Sequence, residues 1–559
     1  MSSFTKSCRQ CQQVFTVDEI DVELLSKLSP TFAGKSFAIP IPTLCPECRE
    51  QQRLVWRNER KLYNRICDLT KKDIISVHAP DKSYPVYSSE AWWGDGWDPF
   101  SYGKDFDFSR PFFDQLKELF EQVPRAALYN QNNVNSEYNQ STGNLKNCYL
   151  LAGADYDEDC YYGNYLFYCR NCVDGLNLQN CELCYECVDA ENCYNCSFCF
   201  DSSNCRDSKF LYSCRNCSNC FGCVNLANKQ HCFFNEQLSE AEYKKRITEF
   251  DLSKYSVVKD VDKLMQERLQ KYPVRYMRGT ANENVSGDSL SHSKQSHYCF
   301  DGAKLENCNY CVFFYQAKDC MDIFAWGMSA ELCYSCMEVG GGTSNMLFSA
   351  TCFSSHNLLY SFQCHNSSHC FGCSGLRHKQ YCIFNKQYSK EDYEMLVSQI
   401  IAHMGKAKEW GEFSPMALSG FGYDETIAQD YYPRDQKDIL ALGGLWRDED
   451  EAKIYGEKPV VADSIHDIGD DILQETLLCE LCSKSYRIIP QELAFYQRQF
   501  LPIPRLCFSH RYLARLSKRT PHKLWDRHCD NCKKAIVTAM SPEVKRPVYC
   551  ETCYQQLVY

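Results

Sequence analysis

From Asn147 onward, small apolar side chains recur among polar ones with a period of twelve, and no gap is needed to keep them in register. Cys148, Cys160, Cys172, Cys184, Cys196, Ser208, Cys220 and Cys232 share one column, and Cys169, Cys181, Cys193, Cys205 and Cys217 share another. A third, weaker column holds Cys187, Cys199 and Cys223, preceded by Gly163 and Gly175, and Asn180, Asn192, Asn204, Asn216 and Asn228 form a polar column beside the thiols. A short fixed period with small residues in register marks a solenoid, whose rows stack at the strand spacing of ~4.8 Å. The expected fold class is therefore mainly β, with Cys-rich parallel β-solenoid arms of β-helix type. Cysteine without metal packs as a compact hydrophobe and suits a narrow interior, while Asn in register can form amide ladders at corners. The pattern leaves open whether a coil takes one row of twelve or two rows, about 24 residues.

The block occurs twice. Cys220-Phe-Gly-Cys223 and Cys232-Phe-Phe-Asn235 return as Cys370-Phe-Gly-Cys373 and Cys382-Ile-Phe-Asn385, 150 positions later. Cys299, Cys308, Cys311, Cys320, Cys333 and Cys336 keep the period with slips of a residue or two, so a tandem duplication is the economical reading. Each block ends in a capping signal, Ser239-Glu-Ala-Glu242 or Ser389-Lys-Glu-Asp392, opening an amphipathic helix that can cover the last strand edge. Helices before the blocks, around Arg110 to Val123 and Asp262 to Lys271, are expected to seal the other ends.

Composition changes this picture at the termini. The chain has 559 residues, 39 of them cysteine, and a formal charge of -11. It opens Met-Ser-Ser-Phe-Thr-Lys with no apolar run, and no stretch approaches the ~18 apolar residues of a membrane helix. A soluble, cytoplasmic protein is expected, with thiols acting as metal ligands or buried hydrophobes rather than disulfides. Cys8-Arg-Gln-Cys11 and Cys45-Pro-Glu-Cys48 have the two-residue gap that brings both sulfurs of a pair to one tetrahedral ion. The design returns as Cys479-Glu-Leu-Cys482 and Cys507-Phe-Ser-His510, with Ile-Pro-Ile-Pro-Thr-Leu before Cys45 answered by Leu-Pro-Ile-Pro-Arg-Leu before Cys507. A third quartet, Cys529-Asp-Asn-Cys532 and Cys550-Glu-Thr-Cys553, has zinc-ribbon spacing around Arg546-Pro-Val-Tyr549. Three structural zinc ions are expected, since four protein ligands leave no open position for catalysis.

On Cys-x2-Cys, the apolar-proline run, Cys45-Pro-Glu-Cys-Arg49 and Pro547-Val-Tyr-Cys550, the termini resemble the small treble-clef and zinc-ribbon domains found in many uncharacterised bacterial proteins. The resemblance covers about a quarter of the chain and implies zinc without implying a reaction.

The first two metal motifs run into basic, aromatic-bearing helices. Arg49, Arg53, Arg57, Arg60, Lys61 and Arg65 lie with Trp56 and Tyr63, and Arg511, Arg515, Lys518, Arg519, Lys523 and Arg527 lie with Tyr512 and Trp525. They could track phosphates; alternatively their arginines pair with the acidic remainder of the chain. The solenoid thiols could themselves hold a metal-thiolate array, best at Cys364-His365, His369-Cys370 and Cys373. Gly287-Asp-Ser-Leu290 and Asp463-Ser-Ile-His466 match a hydrolase family's short motifs, but that family needs its serine after the first strand of an α/β fold. Gly340-Gly-Gly-Thr343 reads as a turn within a row. No catalytic residue and no organic cofactor is assigned.

The expected layout is a zinc domain at 1–66, a connecting segment with a helix at 67–125, a solenoid at 126–250 and a helix plus second solenoid at 251–403. A partly ordered linker at 404–474, including Trp446-Arg-Asp-Glu-Asp450, a second treble-clef-like domain at 475–522 and a zinc ribbon at 523–559 follow. The function expected is a noncatalytic scaffold presenting solenoid faces to protein partners, with small-molecule substrates not expected. RNA or ribosome association and thiolate metal storage or redox buffering are the alternatives.

Overall fold

The computed structural model describes residues 3–448 and 460–558. Two parallel β-solenoids, about 21 turns in all, form its centre. Leu176 pairs with Val188 and Val188 with Phe200; likewise Ser344, His356, Ser368 and Gln380 follow one another across their sheet. One row of twelve is thus one coil. Within a coil the bridges recur at every third residue, as in Glu158 to Arg170, Tyr161 to Val173 and Asn164 to Leu176. Asp159, Tyr162, Tyr165, Tyr168, Asn171, Asp174, Asn177 and Asn180 are all left-handed, with φ between 49° and 58°. The period of twelve therefore resolves into four triplets, each a ladder residue, a left-handed corner residue and an inward residue.

This geometry explains the sulfur. The ladder residue donates its N–H to the next coil and the corner residue donates to the previous one, as Glu158 does to Cys169 O (3.0 Å) and Asn171 to Glu158 O (3.0 Å). The inward residue's N–H finds instead the inward side chain one coil earlier. Cys220 N–H meets Ser208 Oγ at 3.0 Å, Cys308 N–H meets Ser296 Oγ at 3.1 Å and Cys364 N–H meets Cys352 Sγ at 3.4 Å. The inward side chain then passes its own hydrogen to a carbonyl, as Cys172 Sγ does to Arg170 O (3.3 Å). The position calls for a small group that both donates and accepts, which Cys and Ser supply. Leucine enters where glycine makes room: a Cβ on Gly163 would lie 2.8 Å from Leu166, and one on Gly175 2.5 Å from Leu178. The Asn column sits at left-handed corners, a conformation that Asn tolerates better than most residues. An amide ladder forms there too, Asn216 Nδ2 donating to Asn228 Oδ1 at 3.0 Å.

The second solenoid carries the slips anticipated from its cysteines. Glu283 pairs with Lys294 across a turn of eleven, while Ile323 with Cys336 and Met337 with Ala350 span turns of thirteen. Each solenoid closes with an antiparallel hairpin, Cys232–Phe233 with Glu236–Gln237 and Gln380–Ile383 with Lys386–Gln387. The helices Glu240–Ile247 and Lys390–Lys406 follow, with Ser239 Oγ and Ser389 Oγ accepting the Glu242 and Asp392 N–H groups.

The helices ahead of the blocks do not seal the solenoids they precede. Phe112–Gln122 lays Phe112 on Tyr360, Phe371 and Phe384 of the second solenoid, and Tyr255–Leu269 buries Val261, Met265 and Leu269 against Phe210, Tyr212 and Phe221 of the first. Each helix instead buries its apolar face on the stacked aromatic rows of the other solenoid. The two solenoids also touch directly, Tyr165 stacking on Phe313 at 4.3 Å. Residues 413–446, within the stretch read as a linker, bury Phe413, Met416, Tyr423, Ile427 and Ile439 in the same core, an apolar set that a solvated connector would not carry. Glu449 and Asp450 lie outside the described residues.

Candidate metal centres and their arginine clasps

The first quartet begins on a tight hairpin. Cys8 N–H bonds Gln13 O (2.8 Å), Gln12 turns left-handed (φ 62°), and Arg9 N–H reaches Thr43 O (2.9 Å), drawing Cys45 toward the hairpin. Cys45 caps the helix Pro46–Leu54, which puts Cys48 on its first turn. The second quartet repeats every step, with Cys479 on Lys484, Ser483 left-handed, Glu480 on Arg505, and Cys507 capping Phe508–Leu516. So does the third, with Cys529 on Lys534, Lys533 left-handed, and Asp530 on Val548. Here the spacing had suggested a zinc ribbon, but Cys553 stands on the Glu551–Val558 helix, so the second pair opens a helix as in the other two quartets.

All twelve predicted ligand residues converge in their three groups, the ligand atoms of each within 4.8 Å of one another. Cys11 and Cys45 sulfurs are 3.7 Å apart and Cys532 and Cys550 3.6 Å, while His510 Nδ1 lies 3.6 Å from Cys479 and 3.4 Å from Cys507. A tetrahedral ion with metal–sulfur bonds of ~2.3 Å would set sulfurs about 3.8 Å apart, so the donor sets fit. Burial pushes the Cys529 thiol up, but the N–H groups of Cys550 and Cys532 bring it down to about 6, readying a thiolate. Each group can therefore hold a metal ion through four protein donors.

The basic residues of these helices turn largely inward. None of the twelve named arginines and lysines is exposed, and seven are buried. Arg49 and Arg53 converge on Asp322 at 2.6 and 3.2 Å, and Arg57 meets Glu338 at 2.7 Å. Arg511 and Arg515 converge on Asp174 at 2.7 Å each, and Arg519 meets Asp189 at 3.2 Å and also Asp301. Burial alone would pull the Arg511 guanidinium down, yet Asp174 and Glu492 hold it well above its usual range, so it stays charged. The unit of the first quartet thus clasps the second solenoid, and the unit of the second quartet clasps the first. The acidic partners were missed in the sequence, although their register was visible: Cys172-Val-Asp174 and Cys187-Val-Asp189 recur as Cys320-Met-Asp322 and Cys336-Met-Glu338.

Other candidate motifs disperse. Cys364, Cys370 and Cys373 are buried in the second solenoid's sulfur core, whereas His365 stacks on Phe353 and packs on Trp93, and His369 bonds Asn357. His365 is a ladder residue and His369 a left-handed corner, whereas the thiols hold inward positions, which separates these histidines from them. Burial pushes Cys172 up to about 12, and pushes Cys199 well above its usual range. Where two thiols share a hydrogen bond the acceptor moves the other way, and Cys193 draws Cys196 down to about 6. Asp288 is held by Arg278 and Thr520, Asp463 by Ser256, and His466 packs on Phe500 at 5.8 Å, so the acids and imidazole of the hydrolase-like motifs are engaged elsewhere. Gly340 to Thr343 is a turn, with Gly342 left-handed at φ 74°.

No family model and no curated protein matches the chain. Among solved structures, a candidate acetyltransferase from Desulfovibrio desulfuricans G20 aligns at 11% identity and a TM-score of 0.11, over 39% of this chain and 66% of that one. At that score the likeness bears on neither fold nor chemistry. Among the described residues, no helix is long and apolar enough to cross a membrane.

Proposed function

We propose that the protein is a noncatalytic scaffold in which three structural zinc ions, in treble-clef-like units, lock two β-solenoids into one rigid body. The observation that carries this reading is the crossed clasp: each of two helices that open at a cysteine quartet sets two arginines, and the turn after it a third, against carboxylates on the solenoid of the opposite half. Zinc suits two sets of four cysteines and one of three cysteines with a histidine, and four protein donors leave it structural. The cytoplasm suits ligands that must stay reduced. Protein partners would meet the side of the first solenoid left open to solvent, where Tyr156 and Tyr168 stack at 5.0 Å, 52% and 57% exposed, beside the charge ladder Lys146, Glu158 and Arg170. RNA binding is not favoured, because the basic residues that suggested it are used internally.

Elemental analysis of the native protein, with a count of reactive thiols, tests the reading. Three zinc ions per chain are expected, and chelation should raise amide exchange in Pro46–Leu54 and Phe508–Leu516 while the solenoid ladders stay protected. A metal content several-fold higher would point instead to thiolate storage, and unchanged exchange after zinc loss would remove zinc from the clasp.

A further inference from the structure

The hairpin Tyr63–Ile66 with Asp73–Ser76 turns at Cys67 on the same plan as the three metal hairpins. Cys67 N–H bonds Lys72 O (2.8 Å), Lys71 is left-handed (φ 59°), and Asp68 N–H reaches Val86 O (3.0 Å), matching Cys529 on Lys534, Lys533, and Asp530 on Val548. Side-chain bonds match as well. Val86 N–H meets Asp68 Oδ2 at 2.7 Å and Val548 N–H meets Asp530 Oδ2 at 2.7 Å, while Ser88 N–H meets Cys67 Sγ at 3.3 Å and Cys550 N–H meets Cys529 Sγ at 3.3 Å. A helix opens after Ser88 as one opens after Cys550. The residues agree too: Arg65-Ile-Cys-Asp68, Lys71-Lys72 and Pro85-Val-Tyr87 stand beside Arg527-His-Cys-Asp530, Lys533-Lys534 and Pro547-Val-Tyr549. Even the docking is shared. Val86–Tyr87 pairs in parallel with Arg125–Ala126, which leads into the first solenoid, and Val548–Tyr549 pairs in parallel with Val274–Arg275, which leads into the second.

We infer that residues 62–93 are a fourth unit of the metal-binding plan that dispenses with the ion, Cys67, Thr70, Ser88 and Ala91 standing where Cys529, Cys532, Cys550 and Cys553 stand. Hydrogen bonds close the ring that coordination closes elsewhere: Cys67 Sγ accepts from the N–H groups of Thr70 (3.4 Å) and Ser88 (3.3 Å), and Ser88 Oγ accepts from Ala91 N–H (3.2 Å). Packing holds the helix, since Trp92 is fully buried and its Nε1 donates to Pro124 O at 3.0 Å. The chain is then two copies of a four-part assembly, each with two knuckle units and a solenoid with its cap, in which the N-terminal copy keeps one metal and the C-terminal copy two.

This inference rests on the zinc reading, and the experiment separates them. Zinc per chain would be measured in the full-length protein and in the Thr70→Cys/Ser88→Cys/Ala91→Cys variant, with Co(II) loading to detect thiolate charge-transfer absorption from the added site. Three ions in the parent and four in the variant are expected. No zinc in the parent overturns the zinc reading, whereas three in the parent and three in a cooperatively melting variant overturn this inference alone. Should the variant fail to fold, chelation of the parent decides: amides of Lys71 and Ser88 should keep their exchange protection while those of Gln12, Ser483 and Lys533 lose it. Equal loss at all four hairpins would overturn the inference.

Discussion

Asp174 and Asp322 occupy equivalent left-handed corners of the two solenoids, 148 positions apart, and each is a buried carboxylate on which two arginines of a helix opened by a Cys/His quartet converge. The correspondence extends outward, since Arg519 with Asp189 repeats Arg57 with Glu338. A corner residue points away from the coil, so an acid there presents its charge to whatever packs alongside. The halves are therefore interlocked: each solenoid is clasped by the cysteine-quartet unit from the other end of the chain.

Replacing Asp174 with Asn should leave Arg511 with Glu492 and Arg515 with Glu186 as their remaining carboxylates, so the loss should lie at or below the ~3–5 kcal/mol that stranding a buried charge costs. Asp322→Asn should cost a similar amount through Arg49 and Arg53. Urea unfolding of both variants is the measurement, and a loss below about 1 kcal/mol in either would show that its clasp is dispensable.

Stability should fall in alkali through His522. Its Nδ1 lies 2.6 Å from Glu50 on the first metal helix and its Nε2 3.4 Å from Asp301 on the second solenoid. Burial pulls the imidazole pKa down, but Glu50 and Asp301 raise it to about 9. The folded state thus holds the proton more tightly than the unfolded chain, whose His titrates near ~6.5. The resulting stabilisation, on the order of 3 kcal/mol, is complete below ~6.5 and lost as pH rises through the folded value. Unfolding midpoints should decline across that window and His522→Gln should flatten the decline. A wild-type midpoint constant across the same range would refute the assignment.

Ser208 should tolerate cysteine and not valine. Its Oγ accepts Cys220 N–H at 3.0 Å, and a valine would leave that buried donor unpaired, a loss of ~1–3 kcal/mol. Ser208→Cys keeps an acceptor and should change the thermal midpoint little. Comparing the two variants isolates the hydrogen bond from the change in size.

At the exposed corner Asn204, where φ is 53°, glycine should be close to neutral and valine should cost about 1–2 kcal/mol, because a β-branched side chain clashes in the left-handed region. Thermal melting of the pair would check this, and equal midpoints would mean that the corner relaxes on substitution.

Much of this molecule was already legible along the chain. Period, duplication, caps and the clustering of all three Cys/His quartets could be read because coil stacking and a shared four-donor cluster impose short, repeated spacings, and a spacing survives in one dimension. Other features waited for the fold. The coil of four triplets depends on left-handed corners that Tyr and Asp occupy as well as Asn, so composition alone did not mark them. The basic helices looked like a nucleic-acid surface until packing set Arg515 against Asp174, 341 positions away. Helices expected on their own solenoid's end, such as Phe112–Gln122, were drawn to the other solenoid's apolar flank. The fourth knuckle passed unnoticed because only one of its four ligand positions remains cysteine. Local spacing records what a few neighbouring atoms require; which distant charges and apolar faces satisfy one another is settled only when burial forces a choice of partner.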